Sequence, residues 1–208
     1  MNFRIQPEED KLLDEMFKGS MKELNDFYGI DWVHHVPNIF VVPDRKTIDL
    51  LWNKKTKDWI VGWVNSRDVY ILDRNKMETE SSHKYTPETY RALLQHELSH
   101  AFSLIVSGGT NKPKWLWEGV AEFTAGQNRF NKRPTEFKKF LEFYEHEGFD
   151  QYAEAGFAIE DLVKKFGKAK LLEVIKKLKD TDSKEKFDLL FENIYGSKPT
   201  YEFFNNPL

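Results

Sequence analysis

Residues 87–106 constrain the fold of this 208-residue chain more than any other segment. The sequence PETYRALLQHELSHAFSLIV predicts one long helix, which begins at Pro87 and is broken at Gly108-Gly109. Its apolar side chains include Leu93, Leu94, Leu98, Ala101, Phe102 and Ile105. We therefore expect the helix to be embedded in the core. Two histidines and a glutamate on such a helix need a reason, because buried polar groups without partners are costly.

These polar residues form an H-E-x-x-H motif, His96-Glu97-Leu98-Ser99-His100. Residues four apart in a helix project from the same face, so His96 and His100 can converge on one zinc ion. Glu97 stays on the same broad side without coordinating and can act as a general base toward metal-activated water. A chance match on an ordinary helix is the alternative, and a third ligand would decide between them.

A third ligand is suggested by the segment Trp115-Leu116-Trp117-Glu118-Gly119-Val120-Ala121-Glu122-Phe123. Glu118 and Glu122 share one face of a predicted helix, where two like charges repel unless a cation or a protonated group lies between them. They also stand in an apolar, aromatic-rich segment. A zinc ion held by Glu118 and a histidine N–H accepted by Glu122 would account for both residues. The alternative is a pair of surface glutamates.

HELSH followed by WLWEGVAEF resembles the gluzincin metallopeptidases, and WLWEGVAEFTAG is similar to a segment of bacterial collagenase-type peptidases. The resemblance covers about residues 90–129. It implies that His96, His100 and Glu118 bind one zinc ion per chain, that Glu97 is the base, and that Glu122 orients a histidine. Val106 stands where metzincins have a third histidine, and the G-x-M-E-N segment of zinc aminopeptidases is missing. We therefore expect an endopeptidase-like site.

A zinc peptidase also needs a donor that stabilises the oxyanion. Tyr152 opens a predicted helix rich in small residues, and the resemblance implies that a tyrosine there faces the cleft. A packed aromatic residue is the alternative interpretation of Tyr152. The other candidates are Tyr144, His34, His35, His83 and His146.

Predicted strands lie early in the chain and predicted helices lie late, which indicates an α+β fold rather than an alternating parallel sheet. The strands are 39–42 and a hairpin, 59–64 with 68–72, whose edge is a candidate for peptide binding or for cover by another element. The helices are 7–28, 87–106, 115–127, 134–146, 151–166, 168–179 and 184–195. We expect a single zincin-like domain over residues 1–208, with a small N-terminal sheet packed on the active-site helix.

Composition excludes several classes of function. The formal net charge is −3, so no basic surplus favours nucleic acid. There are no cysteines, which removes disulfides, thiolate catalysis and Cys-based metal sites. No apolar run approaches the about 18 residues that span a bilayer, and the first residues lack the apolar segment of a secretory signal. We expect a cytoplasmic protein without membrane or nucleic-acid partners.

These observations predict a zinc-dependent metallopeptidase acting on a peptide or protein substrate, with Glu97 as general base and Tyr152 as oxyanion donor. Two alternatives remain open at this point. One is a catalytically inactive zincin-like module that binds peptide or protein, although retention of Glu97 argues against it. The other is a hydrolase of a non-peptide amide. The oligomeric state does not follow from the sequence.

Overall fold

The structure is a computed structural model that describes residues 7–146 and 152–206. Its described strands are β1 (Ile39–Val42), β2 (Gly62–Asn65) and β3 (Asp68–Leu72). They form one mixed sheet in the order β1-β3-β2, with β1 parallel and β2 antiparallel to β3. The register pairs Phe40 and Trp63 with Tyr70, and the three rings stack across one face of the sheet.

Helices dominate the rest of the described chain. They are α1 (Lys11–Tyr28), α2 (Arg45–Trp52), α3 (Met77–Glu80), α4 (Pro87–Val106), α5 (Lys114–Thr124), α6 (Tyr152–Phe166), α7 (Lys168–Lys177), α8 (Lys184–Tyr195) and α9 (Tyr201–Asn205). The predicted α+β arrangement is confirmed: a small N-terminal sheet packs on α4, and a mainly helical half follows.

Helix α4 begins as its sequence predicts. Thr86 is its N-cap and accepts a hydrogen bond from the backbone N–H of Thr89, and Pro87 occupies the first turn. From Ala92 to Ser103 every residue is buried. This burial follows from its surroundings, because α1, α5 and strands β2 and β3 all pack against it. Polar side chains between Ala92 and Ser103 therefore have little access to bulk water.

An aromatic cluster anchors the start of α5 in the C-terminal half. Trp115 is buried and meets the rings of Phe140, Phe187, Phe191 and Phe204 edge-on, at centroid distances of 5.2–6.4 Å. Such edge-to-face contacts add to the free energy gained by burying the rings. These contacts fix the position of α5 along its own axis. They therefore determine which part of α4 lies opposite Glu118.

The helix predicted over 134–146 is wrong. This part of the chain contains only a short 3-10 helix, Phe140–Glu142. The backbone N–H groups of residues 138–140 donate instead to one carboxylate oxygen of Glu154, at 2.9–3.2 Å. The tertiary contact with Glu154 thus replaces the hydrogen bonds that a helix would make within itself.

Candidate metal centre

Three potential ligands converge between α4 and α5. The Nε2 atoms of His96 and His100 lie 3.1 Å apart. Each of them lies 3.2 Å from Oε2 of Glu118. All three residues are buried, and among the described residues they form a group able to hold a metal ion. The structure thus brings together the three residues that the sequence suggested, while their role as ligands stays a prediction.

The dimensions of this triangle suit a tetrahedral metal ion. Zinc–nitrogen and zinc–oxygen bonds of about 2.0–2.2 Å place neighbouring ligands of a tetrahedron about 3.3–3.4 Å apart or slightly more. The three observed edges, 3.1, 3.2 and 3.2 Å, are close to that value. Two imidazoles and one carboxylate also match the donor types found in three-ligand catalytic zinc sites. The residues present therefore fit a metal ion.

Electrostatics at the cluster favour positive charge. Burial lowers the pKa of His96, but its hydrogen bond to Glu118 and the charges of the neighbouring glutamates outweigh burial and raise that pKa to about 10. Burial raises the pKa of Glu118, but the charge of His100 and hydrogen bonds from both histidines lower it to about 2. Without a metal ion, protonated imidazole therefore balances the charge of the Glu118 carboxylate. A bound metal ion would supply that positive charge instead, since histidine ligates a metal only in its neutral form.

Glu97 lies beside the edge of the sheet. Its carboxylate packs against Gly62 of β2, where an added Cβ would lie only 2.7 Å from Oε1 of Glu97. Only glycine allows so close an approach of strand and carboxylate. Because β2 is an outer strand in the order β1-β3-β2, the candidate base contacts an edge strand of the sheet. The hairpin was predicted from the sequence, but its contact with Glu97 was not.

Glu122 was expected to orient a histidine, and this role stays a prediction, since the described hydrogen bonds of His96 go to other residues. The second ring nitrogen of His96, Nδ1, lies 2.7 Å from Oε1 of Gln127. Glu122 is buried, and its Oε2 has no hydrogen-bond partner among the described residues. Burial raises the pKa of Glu122 to about 7, opposed by the charge of His96 and reinforced by that of Glu118.

Two residues of the site were not predicted from the sequence. The first is Gln127, which follows directly on the WLWEGVAEFTAG segment and belongs to no recognised motif. The second is Trp117, whose ring stacks on that of His100 with centroids 4.5 Å apart and planes 8° apart. The Trp117 ring was part of the quoted motif, but its position before Glu118 carried no signal of stacking.

Tyr152 lies next to the triangle at the start of α6. Its ring centroid is 6.4 Å from that of His96 and 6.2 Å from that of Trp59. Helix α6 packs closely on α5, as the small residues predicted. The contact places Tyr152 at the site and leaves its role as an oxyanion donor a prediction.

The other candidate donors lie elsewhere. Tyr144 packs against Phe187 in the C-terminal core. One ring nitrogen of His83 lies 2.9 Å from the carbonyl oxygen of Trp59. The remaining candidates are exposed, namely His34, His35 and His146. None of these five is brought to the triangle by the contacts described above.

Comparison with known proteins gives no significant match to a family model, a curated protein or a solved structure. The buried triad of His96, His100 and Glu118 is consistent with a zincin-like site of the HExxH…E type. In the described part of the chain, no helix is long and apolar enough to cross a membrane.

Proposed function

We propose that this protein is a zinc-dependent metallopeptidase, with one zinc ion held by His96, His100 and Glu118. The observation that carries the proposal is the buried triangle of ligand atoms, with edges of 3.1–3.2 Å. Glu97 lies on the same helix as the two histidines, and its charge acts on His96. A zinc ion in such a site lowers the pKa of water and polarises a carbonyl group.

Glu97 supplies the proton transfers. It follows His96 directly in the sequence and contacts the edge strand β2 at Gly62. Its carboxylate accepts a proton from the attacking water. The same group then returns that proton to the leaving nitrogen of the cleaved peptide bond. A protein that only binds a metal does not need a carboxylate at this position, and the close packing of Gly62 preserves the space for it.

Strand β2 offers a binding surface for an extended peptide. Peptides commonly add to a sheet edge through backbone hydrogen bonds, and β2 is the outer strand next to Glu97. This arrangement supports an endopeptidase, because an edge strand grips the substrate backbone on both sides of the bond to be cleaved. Such binding does not require residues that recognise the free amino terminus of the substrate.

Chelation tests the proposal directly. Purified protein is incubated with a peptide library, and we expect cleavage that stops with 1,10-phenanthroline and returns when zinc is added. The isomer 1,7-phenanthroline does not chelate and serves as the matched control. If the protein binds zinc and also binds peptides without cleaving them, it is a binding module instead. Hydrolysis confined to small non-peptide amides would indicate the other alternative.

Tyr152→Phe tests the oxyanion donor. The change removes one hydroxyl group and little volume, so we expect turnover to fall by about 100-fold while KM changes less. Tyr144→Phe is the matched control, because Tyr144 packs against Phe187 in the core. Equal turnover of Tyr152→Phe and the unmodified protein would assign Tyr152 to packing alone. Steady-state kinetics on one cleaved peptide provide both parameters.

A further inference from the structure

The two histidines of the triangle are held in different ways. The ring of His100 is stacked on Trp117, whereas the ring of His96 is fixed by a polar contact from Nδ1 to Oε1 of Gln127 at 2.7 Å. The opposite nitrogen of His96, Nε2, faces Glu118 at 3.2 Å. The ring of His96 is therefore held from both sides, with Gln127 behind it.

We infer that Gln127 is a positioning residue, which fixes His96 with its proton on Nδ1 so that the lone pair of Nε2 is directed to the proposed metal position between His96, His100 and Glu118. This inference rests on the proposed metal site. A neutral imidazole has one N–H donor and one acceptor nitrogen, and only the acceptor nitrogen can bind a metal ion. The amide oxygen of Gln127 accepts a hydrogen bond from Nδ1–H, which leaves Nε2 as the acceptor.

The backbone before Gln127 turns so that its side chain reaches His96. Helix α5 ends at Thr124, and Gly126 adopts φ 65°, a left-handed conformation that favours glycine. The turn leads into a short 3-10 helix, Gln127–Phe130, whose first residue points back to α4. Gln95, the residue before His96, donates a hydrogen bond of 2.7 Å to the carbonyl oxygen of Thr124 and secures the same turn.

Glu122 does not take this position, although it is the closer match to the expected motif. Helix α6 passes directly over it: a Cβ added to Gly156 would lie 2.8 Å from the Cβ of Glu122. The partner of His96 is thus a neutral amide rather than a carboxylate. The amide supplies the acceptor without adding another negative charge to a site that already contains Glu97 and Glu118.

Zinc affinity of the full chain, measured by competition with a chromophoric chelator, tests the inference. Gln127→Met keeps the length of the side chain and removes the acceptor, so we expect affinity to fall by about 10–100-fold. Gln127→Glu keeps an acceptor and should stay within about threefold of the unmodified protein on this account. Arg129→Met is the matched control, because Arg129 is exposed on the same short helix and lies against Phe130.

Nitrogen-15 spectra of the histidine rings give a second readout that does not depend on a variant folding. In the zinc-loaded unmodified protein we expect the proton of His96 on Nδ1 and the metal on Nε2. Equal zinc affinities of Gln127→Met and the unmodified protein, or a proton of His96 on Nε2, would overturn the inference alone. An unmodified protein without zinc affinity would overturn the metal site, and the inference with it.

Discussion

Glu118→Ala is expected to abolish stoichiometric zinc binding, whereas Glu122→Ala is expected to keep the ion. Glu118 places one oxygen 3.2 Å from the Nε2 atoms of both His96 and His100, so its removal leaves only two ligands. Glu122 is one helical turn further along α5, equally buried, and contributes no atom to the triangle. We expect its removal to weaken zinc binding by no more than about 10–100-fold, the effect of groups that surround metal ligands.

Metal analysis of the purified variants checks this result. The unmodified protein should contain about one zinc ion per chain, and His96→Ala and His100→Ala should lose it as Glu118→Ala does. Circular dichroism and thermal unfolding with excess zinc separate loss of the ligand from loss of the fold. If Glu122→Ala empties the site while Glu118→Ala stays loaded, the two glutamates have the opposite roles.

The parts of the fold that the sequence predicted are those set by local signals. Helix α4 has the predicted bounds, Pro87–Val106, because Thr86 and Pro87 mark its start and an apolar pattern continues through it. Strand β1, Ile39–Val42, also matches, since four apolar residues end at Pro43. Both segments have clear local signals at their ends, so their bounds could be predicted without knowing what they pack against.

Features that depend on distant contacts could not be predicted in the same way. The parallel pairing of β1 with β3 joins strands separated by α2 and β2, and nothing local specifies it. Helix α2 was missed although Asp44 caps it by accepting from the backbone N–H of Thr47, because the segment is short and its apolar face is narrow. Length is a main signal of a helix, and eight residues make little more than two turns.

The candidate site also combines features set by local spacing with features set by distant contacts. The spacing within HELSH places two imidazoles on one face of α4, and this property belongs to any helix. The meeting of Glu118 with that face depends on how α5 is anchored. It was suggested by two like charges one turn apart in an apolar segment and by the resemblance to a known motif. The contact of Gln127 with His96 depends on the turn at Gly126, which brings together residues 31 positions apart. No spacing rule covers that contact.

Glu97→Gln is expected to reduce peptidase activity by about 100-fold or more while zinc content stays at one ion per chain. The amide has nearly the shape of the carboxylate, so it still fits against Gly62, where an added Cβ would lie only 2.7 Å from Oε1. It cannot accept and return a proton as a carboxylate does, and loss of a general base typically costs about 100–10,000-fold. The ligand triangle does not include Glu97 and is therefore left intact.

Glu122→Gln is the matched control for this variant, because it makes the same chemical change in a second buried glutamate near His96. If the loss came from altered charge around the metal rather than from the missing base, both variants would lose activity to a similar extent. A large loss confined to Glu97→Gln, with equal zinc content in both proteins, assigns the proton transfers to Glu97. Turnover of Glu97→Gln equal to that of the unmodified protein would show that this carboxylate serves the packing of β2 on α4, and that the base lies elsewhere.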